Sequence, residues 1–594
     1  MCGIAGAYLG RGKDAAPALR AMCDAMIKRG PDAAGEWFDP EMGAGIGNRR
    51  LSIIDLDVRA NQPLFSDDGR HVIVFNGEIY NYRVLRDELA REGVVFHTQG
   101  DTEVILELYR RRGVAAFAQL RGMFTIAVWD GRDKTIMLAR DPYGIKPLYI
   151  GKTASGVVFA SQVKAVQATG LVSKATDPAG VAGFHLWGSV PEPFTIYRDI
   201  TALPAGSHVT ISERGVSEPV VYADIAAALR VAQMQAPDLA ERVRDAVAGS
   251  VAAHLVADVP IAVFLSGGID SGSVSGLVAE RHAGVEGVTI SFDEFAGTAE
   301  DETPGARALA DHYGIAHITR TVGKAEFLGD IDRILAAMDQ PSIDGVNTWF
   351  ASKAVAERGY KVVLSGIGGD ELFGGYPTFD SVPKLYRLGR WLPRGRIASG
   401  LFGVLAKCLN TPKVAGIPQL APSLRGSYFL RRGLHVPQEL SALMPPDAAR
   451  EGLARLGFAD WLEGGKPAHG NLGAAISALE STQYLRNQLL RDSDWASMAH
   501  SLELRTPLVD WRLLQDLAPY SEQMIAGQRK KLLASSPRTP LPDSIVNRPK
   551  SGFGLPLDRW LQEAFPDSTP PGRPRQPWAR RWARIVAKNF AVVA

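Results

Sequence analysis

The stretch Val259-Pro-Ile-Ala-Val-Phe-Leu-Ser-Gly-Gly-Ile-Asp-Ser271 decides how this chain is read. Its apolar run, Val259 to Leu265, is too short for a free-standing helix and rich in branched residues. It therefore reads as a buried strand, and the periodic stretch after Ser271 reads as a helix. In the turn between them, adjacent Gly267 and Gly268 let the backbone come close to a ligand, so successive N–H groups can point at one anion beside a helix N-terminus. Leu265, Ser266, Gly267, Gly268 and Ser271 then form a phosphate cradle. It lacks the lysine of a Walker-type loop and carries instead Asp270, which repels a bare phosphate but can hold the Mg²⁺ that accompanies one. Taken alone, the loop also fits an ordinary Gly-Gly turn between strand and helix.

A second loop of the same kind lies about a hundred residues on. Tyr360-Lys-Val-Val-Leu364 is another short strand, and it ends in Ser365-Gly-Ile-Gly-Gly-Asp-Glu-Leu-Phe-Gly-Gly375. Two strands that both end in Ser-Gly turns followed by an Asp suggest neighbouring loops at the carboxyl edge of one parallel sheet, where such sheets bind ligands. Ser365, Gly366 and Asp370 would join the cradle, and Asp270 and Asp370 would share a Mg-nucleotide. Here the chain resembles a known family: SGGIDS is similar to the pyrophosphate loop of the ATP pyrophosphatases that make acyl-adenylates, and SGIGGDELFGGY to its companion in asparagine synthetases.

Length and composition bound the rest. The 594 residues suffice for two or three domains, and 46% hydrophobic with 22% charged residues is the balance of a soluble globular protein. A formal net charge of +2 gives no argument for a nucleic-acid partner. No basic region followed by an apolar stretch opens the chain and no apolar run reaches spanning length, so the expectation is a cytoplasmic protein without a membrane span. Three cysteines, Cys2, Cys23 and Cys408, make neither a disulfide framework nor a zinc motif.

Cys2 follows Met1 in Met-Cys-Gly-Ile-Ala-Gly6. Methionine removal would leave thiol and α-amine on one residue, and an amine of pKa near 8 can activate the thiol. By itself such a cysteine is most often incidental. Arg50-Leu-Ser-Ile-Ile-Asp55, Phe75-Asn-Gly-Glu-Ile-Tyr-Asn81, Gln99-Gly-Asp-Thr-Glu103 and Arg140-Asp-Pro-Tyr-Gly-Ile-Lys-Pro-Leu-Tyr149 follow in order. Together they resemble the class II glutamine amidotransferase domain, an αββα sandwich of the Ntn type. The resemblance implies Cys2 as nucleophile on the glutamine amide, and Asn76 with the Gly77 N–H as oxyanion donors. It implies Arg50 on the glutamine α-carboxylate, and Glu78 and Asp101 on its α-ammonium. The chemistry suits each role, since a guanidinium forks onto a carboxylate and fixed donors stabilise an oxyanion. Asn76-Gly77 equally fits a hairpin turn between Val72–Phe75 and Ile79-Tyr80.

The glutaminase region is expected to span 1–211, a linker 212–236, an adenylating synthetase domain 237–566 and a basic, Pro- and Trp-containing tail 567–594. Strands at Val259–Leu265, Gly287–Phe292, Ile315–Thr319 and Lys361–Leu364, with helical stretches between, predict a doubly wound parallel sheet. The fold class is thus α/β and α+β in two domains, the second ending in a helical C-terminal region. Asp301-Glu302 reads as a charge pair at a helix N-terminus. Leu489 to Asp510 and Asn547-Arg-Pro-Lys-Ser-Gly-Phe-Gly-Leu-Pro556 closely resemble C-terminal signatures of asparagine synthetases. In the second, Lys550 matches the lysine that the family sets on the phosphates. The tail fits either a membrane-surface or partner helix or a terminal helix packed on its own protein.

The resemblance covers nearly the whole chain. It implies glutamine hydrolysis at Cys2, passage of ammonia through an internal tunnel, and an acyl-adenylate made from ATP, Mg²⁺ and an acceptor carboxylate, with release of AMP and pyrophosphate. Its partners are small molecules, and a homodimer is compatible with it. The chain departs from the family at Ile367, where asparagine synthetases usually carry a carboxylate, and in Asp339-Gln-Pro-Ser-Ile-Asp-Gly-Val-Asn-Thr348. Aspartate stays the favoured acceptor if Asp344 or Glu371 serves as base. A sugar acid, a cell-wall diamino acid or a natural-product intermediate is the alternative. A glutaminase with an idle second domain and a nucleotide-binding regulator without turnover are the remaining readings.

Overall fold

The computed structural model describes residues 2–393, 395–409, 411–464, 470–548, 554–564 and 577–592. In the N-terminal half two antiparallel sheets face one another. Gly3–Tyr8 runs inside the first, between Ala44–Arg50 and Val157–Ala160, and His71–Ile79 runs inside the second beside Gly122–Asp130. Because side chains alternate across a strand, Ile4, Ile46, Val74, Trp129 and Phe159 from the two sheets meet between them. The outer faces are covered by the helices Ala16–Ala25 and Val163–Ala168 on one side and by Tyr82–Arg91 and Asp101–Arg112 on the other. This is the expected αββα sandwich.

The hairpin reading of Asn76-Gly77 does not hold. Both residues pair in mid-strand, Asn76 opposite Thr125 and Gly77 opposite Phe124. A Cβ at Gly77 would fall 2.0 Å from the Met123 carbonyl oxygen, so this glycine permits close strand approach and reverses nothing. The stretch read as a linker is packed over much of its length. Val220–Val221 pair back onto Ser207–Ser212, and Ile225, Leu229 and Ala236 enter an apolar core shared with the second half.

That half is built on five parallel strands, β1 (Ile261–Phe264), β2 (Glu286–Phe292), β3 (Ala316–Val322), β4 (Val362–Leu364) and β5 (Glu503–Arg505), in the spatial order β3-β2-β1-β4-β5. Helix Ile269–Ala279 packs on one face and Lys324–Ala337 with Val346–Ala356 on the other. The strand order reverses between β1 and β4, and the two Ser-Gly loops leave the sheet there, at its topological switch point. Asp301 accepts a hydrogen bond from the Thr303 N–H at 3.0 Å at the start of helix Thr303–Tyr313, in keeping with its reading as a helix-terminal charge. Among the described residues beyond Tyr376 β5 is the only strand and the other elements are helices, and the tail includes helix Trp578–Asn589, packed on its own protein. Among the described residues no helix is long and apolar enough to cross a membrane.

The two halves are joined by buried polar contacts. Arg29 forks onto Asp494 at 2.6 and 3.0 Å, with side chains only 2% and 6% exposed, and also donates to the Cys2 carbonyl at 3.2 Å. Asp339 accepts from the backbone N–H groups of Val163 and Lys164 at 2.8 and 3.0 Å. Truncating Arg29 would strand a buried carboxylate, which costs about 3–5 kcal/mol. Arg29→Ala should therefore lower the first thermal unfolding midpoint, whereas an unchanged midpoint in scanning calorimetry would show that the pair adds nothing to the junction.

Candidate active sites

The first candidate site lies where the two N-terminal sheets meet the second half. Cys2 leads into Gly3–Tyr8 and is buried, and its N–H donates to Asn76 Oδ1 at 2.9 Å. Burial pushes the thiol pKa up, offset in part by the N-terminal charge, the Leu51 N–H and Arg50. Asn76 Nδ2 is buried without a hydrogen-bond partner among the described residues, an unused donor on a residue already bonded to Cys2. Arg50, at the end of its strand, is held by neutral groups: Asn61 Oδ1 at 2.6 Å and the carbonyls of Ile54 and Asp55. Among the described residues no carboxylate pairs with it, so its charge is positioned without being neutralised.

Asp101 opens helix Asp101–Arg112 and accepts the Ile79 N–H at 3.0 Å. Burial raises its pKa to about 6. Glu78 is turned to the domain junction, with Oε2 3.6 Å from Arg505 Nη2. Burial and neighbouring Glu503 raise its pKa against the pull of Arg505. Arg505 itself lies on β5, donates to Glu503 at 2.6 Å and to the carbonyls of His254 and Val256.

The second candidate site is a cavity of about 880 Å³ at the carboxyl edge of the parallel sheet, within the size range of small-molecule sites. Leu265, Ser266, Gly267, Gly268, Asp270, Ser271, Ser365, Gly366 and Asp370 all line it. The loops touch so closely that a Cβ at Gly369 would fall 2.5 Å from Asp270 Oδ1. Ser266 and Ser271 hydroxyls bond at 2.8 Å, which folds the first loop onto its helix.

Lys530, which the sequence reading passed over, stands between the two loop carboxylates. Its ammonium is paired with Asp270 and with Asp370, the latter at 2.6 Å. Burial works against that charge, but the two aspartates together hold its pKa above the usual lysine value. Two carboxylates converging on one cation are a donor set that suits Mg²⁺, which takes one or two carboxylates and completes its shell with phosphate oxygens. Among the described residues no three His, Cys, Asp or Glu side chains form a metal cluster. Lys550 lies outside the described residues.

The opposite part of the cavity is acidic. Residues Glu480–Leu490 run as a π-helix, a widened turn often found at functional sites, and Tyr484, Gln488 and then Asp492 line the cavity from it and the helix that follows. Asp344 and Glu371 line it too, together with Ile367 and Tyr376. Asp492 accepts from Ser342 Oγ at 2.6 Å and Trp495 Nε1 at 2.8 Å. Glu371 accepts from the Tyr376 hydroxyl at 2.9 Å, and its other oxygen has no hydrogen-bond partner among the described residues. Burial and Asp370 raise the Glu371 pKa to about 8, and burial and Asp344 raise that of Asp492 to about 8. Arg432 also lines the cavity, over the rings of Tyr376 and Tyr484, and is paired with Glu480 at 2.9 Å.

Comparison with known proteins identifies the family of each half. The glutamine amidotransferase domain family model matches residues 1–222 and the asparagine synthase model residues 242–568. "Asparagine synthetase [glutamine-hydrolyzing] 1" of Bacillus subtilis (strain 168) is 32% identical over 95% of this chain and 88% of its own. A "Putative asparagine synthetase [glutamine-hydrolyzing]" of Mycobacterium tuberculosis (strain ATCC 25618 / H37Rv) is 32% identical over the same shares. "Amidase chry2" of Gibberella zeae is 31% identical over 62% of this chain and 57% of its own.

Proposed function

The chain belongs to the glutamine-hydrolysing asparagine synthetase family, and we propose that its acceptor is a carboxylic acid bearing a protonated amine, with aspartate the first candidate. As a family member it is a glutamine-dependent, ATP-using carbon–nitrogen ligase. What is proposed is the division of labour among its residues and the class of acid it amidates.

At the first site Cys2 Sγ attacks the amide carbon of glutamine and its proton passes to the α-amine exposed by methionine removal. Asn76 Nδ2 and the Gly77 N–H take the oxyanion. Arg50 receives the α-carboxylate, Asp101 the α-ammonium, and Glu78 closes that pocket from the junction. The amine then returns its proton to the departing nitrogen, which leaves as ammonia, and water releases glutamate from the thioester. Ammonia crosses to the second site inside the protein, shielded from solvent protons.

At the second site the Leu265–Ser271 loop, Ser365 and Gly366 hold the phosphates of ATP, and Asp270 and Asp370 would hold Mg²⁺, which supplies positive charge to the phosphate oxygens when bound. Lys530 then turns from the aspartates to the phosphate charge that grows as pyrophosphate departs. The acceptor's carboxylate oxygen displaces pyrophosphate from the α-phosphorus, and ammonia displaces AMP from the acyl carbon. A proton must leave the incoming nitrogen. Ile367 cannot take it, and Glu371, on the same loop, can do so once acceptor binding has released its own proton.

The acceptor reading is carried by one observation: Asp344, Glu371 and Asp492 line the polar end of the cavity, and among the described residues none of them forms an ion pair. Buried acids without a cation are costly as anions, and an ammonium in the ligand supplies the missing charge. A sugar acid without an amine does not. Steady-state amidation across aspartate, diamino acids and sugar acids, read as AMP release, tests this. A sugar acid as the best acceptor would overturn it.

The pKa directions give a second expected outcome. At pH 7 Glu371 and Asp492 carry protons, having values of about 8. An ammonium placed beside them lowers those values, so acceptor binding should release protons. Titration calorimetry in two buffers of different ionisation enthalpy measures that release, and proton uptake would contradict the assigned contacts.

A further inference from the structure

The asparagine synthase match stops at residue 568, yet the structure continues into helix Trp578–Asn589, whose first residues Trp578 and Ala579 line the same cavity as the pyrophosphate loop. The helix is fixed along its length. Trp582 is fully buried beside Phe327, which stacks on Trp560 at 5.1 Å. Arg580 forks onto Glu439 at 2.8 and 3.1 Å and donates to the Leu434 carbonyl at 2.8 Å. Arg581 bonds Asp558, and the Val592 carbonyl meets His185 Nε2 at 3.2 Å. Trp578 lies one turn before Trp582 on the same face but is 39% exposed, so this anchored helix holds an indole at the cavity wall.

The cavity has two ends, and its chemistry assigns them. Phosphates belong between the loops of β1 and β4, where Asp270, Asp370 and Lys530 stand. The end lined by Asp344, Glu371 and Asp492 is polar and acidic, which suits an ammonium and opposes the electron-rich edge of a purine. The other end is apolar: Val288 and Ile290 from β2, and Leu555 and Leu557 from the segment on which the last helix packs. A nucleotide whose phosphates are fixed in the middle must send its base to that end.

We infer that the C-terminal helix is a wall of the nucleotide site and that Trp578 is a specificity-determining residue that covers the adenine base. The inference rests on the reading that ATP binds in this cavity. An aromatic face against a base contributes enough to be seen as a five- to hundredfold change in affinity, roughly, and here one face of one ring is involved.

The test is ATP–pyrophosphate exchange and steady-state amidation with the full chain. Trp578→Ala should raise the KM for ATP about tenfold while the acceptor KM stays within about twofold, and Trp578→Phe should recover most of the loss. The melting temperature checks that the variants fold, which a side chain at the surface of the helix should not disturb. An unchanged ATP KM in folded Trp578→Ala, or a rise in the acceptor KM in its place, overturns the assignment alone. Wild-type protein that shows no pyrophosphate exchange overturns the ATP reading and this inference with it.

Discussion

Cys2→Ala protein should make amide from ammonium salts at close to the wild-type rate and none from glutamine. The glutamine-dependent kcat is expected to fall by on the order of a thousandfold or more, since the residue is proposed to form the covalent bond itself. The geometry supports so clean a split. The Cys2 backbone carbonyl is held at 3.2 Å by Arg29, which in turn forks onto Asp494 of the second half, and alanine keeps that carbonyl. The readout is amide formation with each nitrogen source, alongside glutamate release. If a folded Cys2→Ala protein loses the ammonium-dependent reaction as well, the two sites do not work as separate centres, and the assignment of nitrogen release to Cys2 alone fails.

Asp370→Asn is expected to act on the other centre with a comparable effect. The substitution keeps the shape of the side chain but removes one of two negative charges that hold Lys530 at 2.6 Å and that are proposed to hold Mg²⁺. Loss of a group that organises charge at a phosphoryl centre costs about 10²–10³ in rate. ATP consumption and amide formation should fall together by that factor, with glutamine hydrolysis retained. Asp270→Asn should behave alike. ATP consumption at the wild-type rate in either variant would remove that aspartate from the site. Lys530→Met separates the two functions of the cluster: it should leave Mg-nucleotide binding in place while slowing pyrophosphate release.

Much of the second half was legible because its central strands are buried on both faces. Such strands read as short, continuous apolar runs, and Ile261–Phe264, Glu286–Phe292 and Val362–Leu364 fall within a few residues of expectation; Ala316–Val322 does too, although it is a partly exposed edge strand. The fifth strand, Glu503-Leu-Arg505, carried no such signal. It sits at the sheet edge, and its two charged side chains are satisfied by each other and by Glu78 across the domain junction, so partners far away in sequence stand in for apolar character. Lys530 was missed for a related reason. In Gly527-Gln-Arg-Lys-Lys-Leu532 it looks like a surface charge, and only the fold brings it to Asp270 and Asp370. Asn76-Gly77 was ambiguous because the same dipeptide serves a two-residue turn and a strand crossing close to its neighbour. Asp344 and Glu371 were within reach of the sequence, once Ile367 showed that the loop lacks its usual carboxylate.

The edge strand also sets the order in which the molecule can be made. Four strands of the parallel sheet are complete once Leu364 has been synthesised, but Glu503–Arg505, which must pair with Val362–Leu364, is translated much later. In the interval the emerging chain presents the unpaired edge of Val362–Leu364, a template for wrong partners. The same late segment brings Asp494 to Arg29 and Arg505 to Glu78. A finished glutaminase sandwich therefore waits on the ribosome with Arg29 and Glu78 unmatched, and its docking comes late in synthesis. Long-range closure of this kind is slow and exposes intermediates to aggregation. Chains truncated before residue 503 should accordingly be recovered in the insoluble fraction, even though they carry both loops of the proposed nucleotide site.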